Sequence, residues 1–177
     1  LSSSLQGAVV ELFDQFGADQ IQIAPAGGLQ GGDVAVQLLD KDVEFVRDMP
    51  YFDLVAPFLI GNNVPTEYRG VERLLSVAGI ATDDASRIDA FLDYSEELDS
   101  GRWFRDGEQG AAILGHTIPY DPNDRFFGRE IAPKTRIDIE NRTFEVVGVF
   151  RKFGTPDDTT VLIPLEDARE VFDKPFE

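Results

Sequence analysis

"TRIDIENRTFEVVGVF", residues 135–150, reads as two alternating apolar and polar runs joined at Glu140–Arg142. A period of two places the apolar side chains of each run on one face of a strand. Two such runs around a short polar link make a β-hairpin. Working outward, "TVLIPL" (160–165) is a further strand and "LEDAREVF" (165–172) a closing amphipathic helix. Upstream, "GAAILG" (110–115) is a short apolar strand, and "VPTEYRGV" (64–71) and "RLLSVAGI" (73–80) are two more. "FDLVAPFLI" (52–60) reads as a mostly buried strand, and "DQIQIAP" (19–25) alternates and reads as a strand.

Three helices complete the pattern. Leu5, Val9, Leu12, Phe13 and Phe16 recur at helical spacing over residues 2–16, with Gly17 as the stop. Asp40 is placed to cap "KDVEFVRDM" (41–49), which ends at Pro50. Thr82 is placed to cap "TDDASRIDAFL" (82–92). His116 opens a short helical turn, while 26–33 and 120–130 are loops. Hairpins mixed with scattered helices predict an α+β fold.

Composition narrows the function classes. Of 177 residues 42% are hydrophobic, and 14 Phe supply material for a core, so disorder is excluded. Thirty-three acidic residues against 16 basic ones leave a net charge of −17, and four of the 16 are Lys. That surface repels nucleic acid and anionic membranes alike. Self-repulsion of this size opposes a compact state in dilute buffer, and molar salt screens it. Acid spread evenly rather than in blocks points to a halophilic source; an ordinary acidic protein with a charged binding face is the alternative. Without Cys there is no disulfide and no thiolate chemistry. No run reaches the ~18 apolar residues of a membrane span. With Leu1 in place of an initiator Met and no signal peptide, the chain is expected to be a piece of something longer.

Motifs for chemistry fail one by one. Gly27 and Gly32 have the spacing of a phosphate-cradling loop, but Asp33 stands where the Lys belongs and would repel phosphate. Asp121 begins a segment like a calcium loop, yet its sixth and twelfth positions hold Phe126 and Ala132 instead of Gly and Glu. A looser ion site from Asp121, Asn123 and Asp124 competes there with a solvated turn. The pairs Asp83–Asp84 and Asp157–Asp158 would suit a two-carboxylate hydrolase, but 33 acids produce adjacent pairs by chance. One His, His116, makes no metal cluster, and no G-x-S-x-G nucleophile elbow is present. No catalytic, cofactor or metal residue is assigned. "NRT" (141–143) is an N-glycosylation acceptor sequence at the expected hairpin tip, which mildly favours an extracytoplasmic place.

"ELDSGRWF" (97–104) holds the single Trp. Arg102 and Trp103 are suited to clamp and stack a ligand. The same residues suit a structural turn, with Gly101 at positive φ and Phe104 in the core, and this second reading is favoured.

Taken in order, a set of segments resembles the periplasmic core domain of MacB-type ABC-transporter permease proteins, the FtsX-like family. They are "FGADQIQIAP" (16–25), "LLDKDVEFVRDMP" (38–50), "YRGV" (68–71), "ELDSGRWF", "AAILGHTIP" (111–119), "GREIAPKTRIDIENRTFEVVGVF" (128–150) and "DDTTVLIPLEDAREVF" (157–172). The resemblance implies a non-catalytic domain on the extracytoplasmic face of the cell membrane, between two transmembrane helices of the same permease. It implies a porter-like α/β subdomain (residues 1–64 and 138–177) with a small β-rich subdomain (65–137) inserted, and makes "GRWF" a turn of the latter. Implied partners are those transmembrane helices, a cytosolic ABC ATPase subunit, a second permease copy, and an exported substrate or accessory protein. No cofactor is implied. "PYDPNDRFF" (119–127) is longer and more polar than the family's usual segment. The rival classes are a secreted hydrolase and an extracellular sensor or adhesion module.

Overall fold

Two-residue turns shape both hairpins. In the computed structural model, which describes residues 21, 23, 40–120, 127, 128 and 130–172, β1 (Phe58–Tyr68) and β2 (Val71–Ile80) are joined by Arg69 and Gly70. These two lie at φ of 51° and 82°. Positive φ at both positions matches the turn to the twist of the flanking strands. The ladder is in register from Phe58↔Ile80 to Tyr68↔Val71, with a bulge between Gly61 and Val64. The hairpin read at 135–150 is present as β5 (Arg136–Ile139) and β6 (Arg142–Phe150), and its turn residues Glu140 and Asn141 have φ of 48° and 65°.

The remaining elements of the described chain are α1 (Asp40–Arg47), α2 (Ala85–Leu92), β3 (Leu98–Gly101), β4 (Ala111–Leu114) and α3 (Thr117–Tyr120). A 3-10 turn (Pro156–Thr159), β7 (Thr160–Pro164) and α4 (Leu165–Phe172) follow β6. The α+β class expected from the sequence is therefore observed. The expected helix at 2–16, the loop at 26–33 and the segment 121–126 with Asp121, Asn123 and Asp124 lie outside the described residues. So does the strand at 19–25 apart from Ile21 and Ile23, both exposed.

The chain divides into two units, residues 1–44 and 45–177. Of the first, the described part is Ile21, Ile23 and the start of α1. Asp40 and Asp42 occupy the first turn of that helix and Arg47 the last, the arrangement that complements the helix dipole. Asp40 is thus the first helical residue and not a cap ahead of the helix.

In the second unit the strand order is β3-β6-β4-β7-β2-β1-β5, and β5 pairs again with β6. Six strands therefore close into a cycle of pairings, and β3 joins the far half of β6. The pairs β4–β6 and β2–β7 are parallel and the rest antiparallel. A strand flanked on both edges and covered on both faces must be apolar throughout. This is why all four residues of β4 are buried.

Alternation along the strands feeds two clusters. Ala112, Leu114, Val77, Ile137, Phe144 and Ile163 belong to one, which α4 joins through Ala168 and Val171. Ala111, Ile113 and Val147 belong to the other, with Ile88 of α2, Trp103, Phe104 and Phe150. α4 lies so close to β2 that a Cβ at Gly79 would run into that of Ala168.

Two sequence expectations are corrected. Residues 52–57 form no strand, and Phe58, Leu59 and Ile60 are 39%, 37% and 43% exposed instead of buried. An apolar run is buried only where neighbours cover it. Here, among the described residues, β5 reaches β1 only at Thr66 and Glu67. Thr82 does not cap α2 through its side chain; its hydroxyl donates to the Glu108 carbonyl at 3.0 Å. The cap comes from Asp106, whose carboxylate accepts the Ser86 N–H at 2.8 Å and the Ser86 hydroxyl at 2.7 Å. The expected subdomain limits at 64/65 and 137/138 lie within β1 and β5.

Candidate functional site

Gly101 ends β3 at φ 86°. The turn it makes aims the Arg102 N–H at the Val147 carbonyl of β6, 2.9 Å away. The same turn drops Trp103 and Phe104 into the second cluster, 6% and 4% exposed. The indole stacks on Tyr94 with ring centroids 4.8 Å apart and donates Nε1–H to the Ala85 carbonyl at 3.2 Å. Trp103 therefore pins the start of α2 to the sheet. It is not the wall of a ligand pocket. Burial, and then the charge of Asp157, pushes the Tyr94 phenol above its ordinary value.

Arg102 is committed as well. Its two terminal nitrogens fork onto Glu108 at 2.8 and 2.6 Å, and one also reaches the Trp103 carbonyl at 2.9 Å. Glu108 further accepts the Arg105 N–H at 2.9 Å. The bond from Arg102 holds the Glu108 carboxyl below its usual range, and the bond from Glu108 raises Arg102 in turn. With its fork filled, this guanidinium is a structural strut and no anion clamp.

The acid pairs separate in the same way. Asp83 faces Arg47 at 3.8 Å and Asp84 faces Arg87 at 3.5 Å. Asp157 accepts the Thr155 hydroxyl at 3.0 Å. Asp158 is buried and accepts the N–H groups of Phe153 and Gly154, both at 2.8 Å, which fixes the loop after β6. Asp157 and Asp158 serve separate local bonds, while Asp83 and Asp84 line one cleft, each beside an arginine. His116 directly precedes α3. Among the described residues no group of three or more His, Asp or Glu is placed to hold a metal ion.

The sequence reading missed one buried acid. Asp167 of α4 is 4% exposed, accepts the Gly110 N–H at 2.7 Å and lies 3.6 Å from Arg142, which also bonds Glu170. It ties α4 to the 110 loop and to the β5–β6 hairpin. A lone carboxylate on the apolar face of "LEDAREVF" was the available signal.

What stays open lies at one end of the β1–β2 ladder. From Phe58 to Gly61, β1 pairs only with β2 among the described residues, leaving backbone donors and acceptors on its other edge. Phe58 pairs with Ile80, and the next residue, Ala81, lines a cleft of about 210 Å³ with Arg47, Phe52, Leu54, Asp83 and Arg87. A strand edge unpaired among the described residues, exposed apolar side chains and a rim of both charges suit the docking of an extended peptide or a protein surface. They offer no nucleophile with a base beside it.

Comparison with known proteins gives this geometry a setting. Residues 1–176 match the profile of the MacB-like periplasmic core domain. An uncharacterized ABC transporter permease of Methanocaldococcus jannaschii is 22% identical over 173 residues, covering 97% of this chain and 41% of that protein. The chain thus spans about two-fifths of that relative's length. The extracellular domain of the noncanonic ABC-type transporter YknZ from Gram-positive bacteria superposes with a TM-score of 0.59 at 14% identity, over 77% of this chain and 67% of that one. The periplasmic region of MacB from Actinobacillus actinomycetemcomitans gives 0.57 at 14% identity, over 78% and 60%. At such identities the two structures establish likeness of fold.

Proposed function

The chain belongs to the MacB-like periplasmic core domain family, and we propose that it is the extracytoplasmic domain of an ABC-transporter permease, relaying motion of the membrane helices to a substrate or partner protein outside. The observation that carries this reading is the family match over residues 1–176. The closed cycle of strand pairings supports it, because a sheet whose strands are all tied to neighbours passes a displacement on instead of absorbing it. The side chains that looked chemical in sequence are spent on folding: Trp103 on α2, Arg102 on Glu108, Asp158 on its own loop. The role is mechanical and adhesive, not catalytic. ATP is hydrolysed by a cytosolic ATPase subunit, a second permease copy completes the transporter, and the exposed strand at Phe58–Ile60 is the surface offered to the outside partner.

The test is made in the full permease. Replacing the domain by a flexible linker is expected to abolish transport while the ATPase subunit still assembles and hydrolyses ATP. Transport that survives the replacement overturns the relay.

A further inference from the structure

We propose that Asn141 is the acceptor of an N-linked glycan. Asn141, Arg142 and Thr143 form the one Asn-x-Ser/Thr sequence among the four Asn of the chain. The fold places all three on the surface, at the apex of the β5–β6 hairpin. Asn141 is the second of two left-handed turn residues, with φ 65°, and it is exposed. Arg142 is drawn toward α4 by Glu170 and Asp167. That pairing lays the neighbouring bulky side chain along the body of the domain. Thr143, two residues on, keeps an exposed hydroxyl that donates to Asp138 at 2.5 Å across the strand pair. A bulky, solubilising glycan is tolerated only at such a surface.

The co-reactant is an oligosaccharide carried on a polyprenyl phosphate or diphosphate. The Asn141 amide nitrogen forms a bond to the anomeric carbon and loses one proton to a base of the transferase. The anomeric carbon–phosphate oxygen bond breaks, and the lipid phosphate leaves with the electron pair. No oxidant or reductant is involved. A glycan there would also keep the hairpin tip out of any protein interface.

This inference rests on the extracytoplasmic placement, so the experiment reads the two separately. The full permease is isolated from membranes of its own cells, and the Asn141 peptide is analysed by mass spectrometry. The expected result is a glycan mass on that peptide, lost in Asn141→Gly and Thr143→Ala and kept in Thr143→Ser. Gly suits φ 65°, so Asn141→Gly removes the acceptor without straining the turn. An unmodified Asn141 peptide as the sole species overturns the proposal. In parallel, Glu72→Cys on exposed β2 is treated on intact cells with a membrane-impermeant maleimide, against a domain background that contains no Cys. Labelling with an unmodified peptide refutes the glycan alone. No labelling and no glycan refutes the placement and the glycan together.

Discussion

Replacing Gly101 by Val sets two penalties on one residue. At φ 86° an L side chain is strained by its own backbone, at about 1–2 kcal/mol for a left-handed residue. The second penalty is steric. A Cβ at this position would press on the Val147 carbonyl oxygen and stand 2.7 Å from the Gly148 Cα and 2.9 Å from the Val147 carbonyl carbon. All three atoms are backbone of β6, so no rotamer change relieves them. β3 must lift away from β6, which stretches the bond from the Arg102 N–H to the Val147 carbonyl, worth about 0.5–1.5 kcal/mol net. Loosened packing of Trp103 adds to this, for a total of about 3–4 kcal/mol. For a chain of this size that lowers Tm by about 6–16 °C. Gly107 supplies the control: its φ is 70° and nothing lies within 4 Å of its Cβ position, so Gly107→Val carries the backbone strain alone. Urea unfolding followed by far-UV circular dichroism and by the fluorescence of the single Trp gives both midpoints. Equal losses for the two variants, at unchanged m, would refute the steric half of the reasoning. A wild-type midpoint for Gly101→Val would refute all of it.

Trp103→Ala, which empties the wedge between α2 and the sheet and orphans the Ala85 carbonyl, should cost about 3–5 kcal/mol in denaturant unfolding. A loss under about 1 kcal/mol would mean that the indole is not a core residue. Glu108→Gln should cost about 1–2 kcal/mol at pH 7 by weakening the fork to Arg102. Because the folded carboxyl is held below its ordinary 4.5, its contribution is complete above that value and is lost as the pH falls through the lowered one. Parallel acid titrations should therefore converge at low pH, and a gap that stays constant would contradict the assignment. With a net charge of −17, Tm should rise from dilute buffer to molar KCl, as the Debye length shrinks to about 3 Å. A flat or falling midpoint by calorimetry would remove the case for a halophilic origin.

Local chemistry determined what the sequence alone revealed. Glu140–Asn141 sits between alternating runs, and a two-residue turn fixes its own hairpin with no help from the rest of the chain, whereas the Arg69–Gly70 turn falls inside the strand expected over 64–71. The apolar run at 111–114 and the amphipathic "LEDAREVF" were legible for the same reason, since each carries its period within its own length. Gly101 at positive φ with Phe104 buried followed from residue type and order. Tertiary structure decided whatever depends on an arrival from far along the chain. The cap of α2 is Asp106, 20 residues from the Ser86 it serves. The partners of Asp167 are Gly110 and Arg142, and no spacing rule links the three. Whether Phe58–Ile60 would be covered depended on how far β5 extends along β1, and it reaches only Thr66 and Glu67. Turn and period are properties of neighbours in sequence. Burial is a property of neighbours in space, and which strand closes the cycle on β6 is settled only when all of them pack.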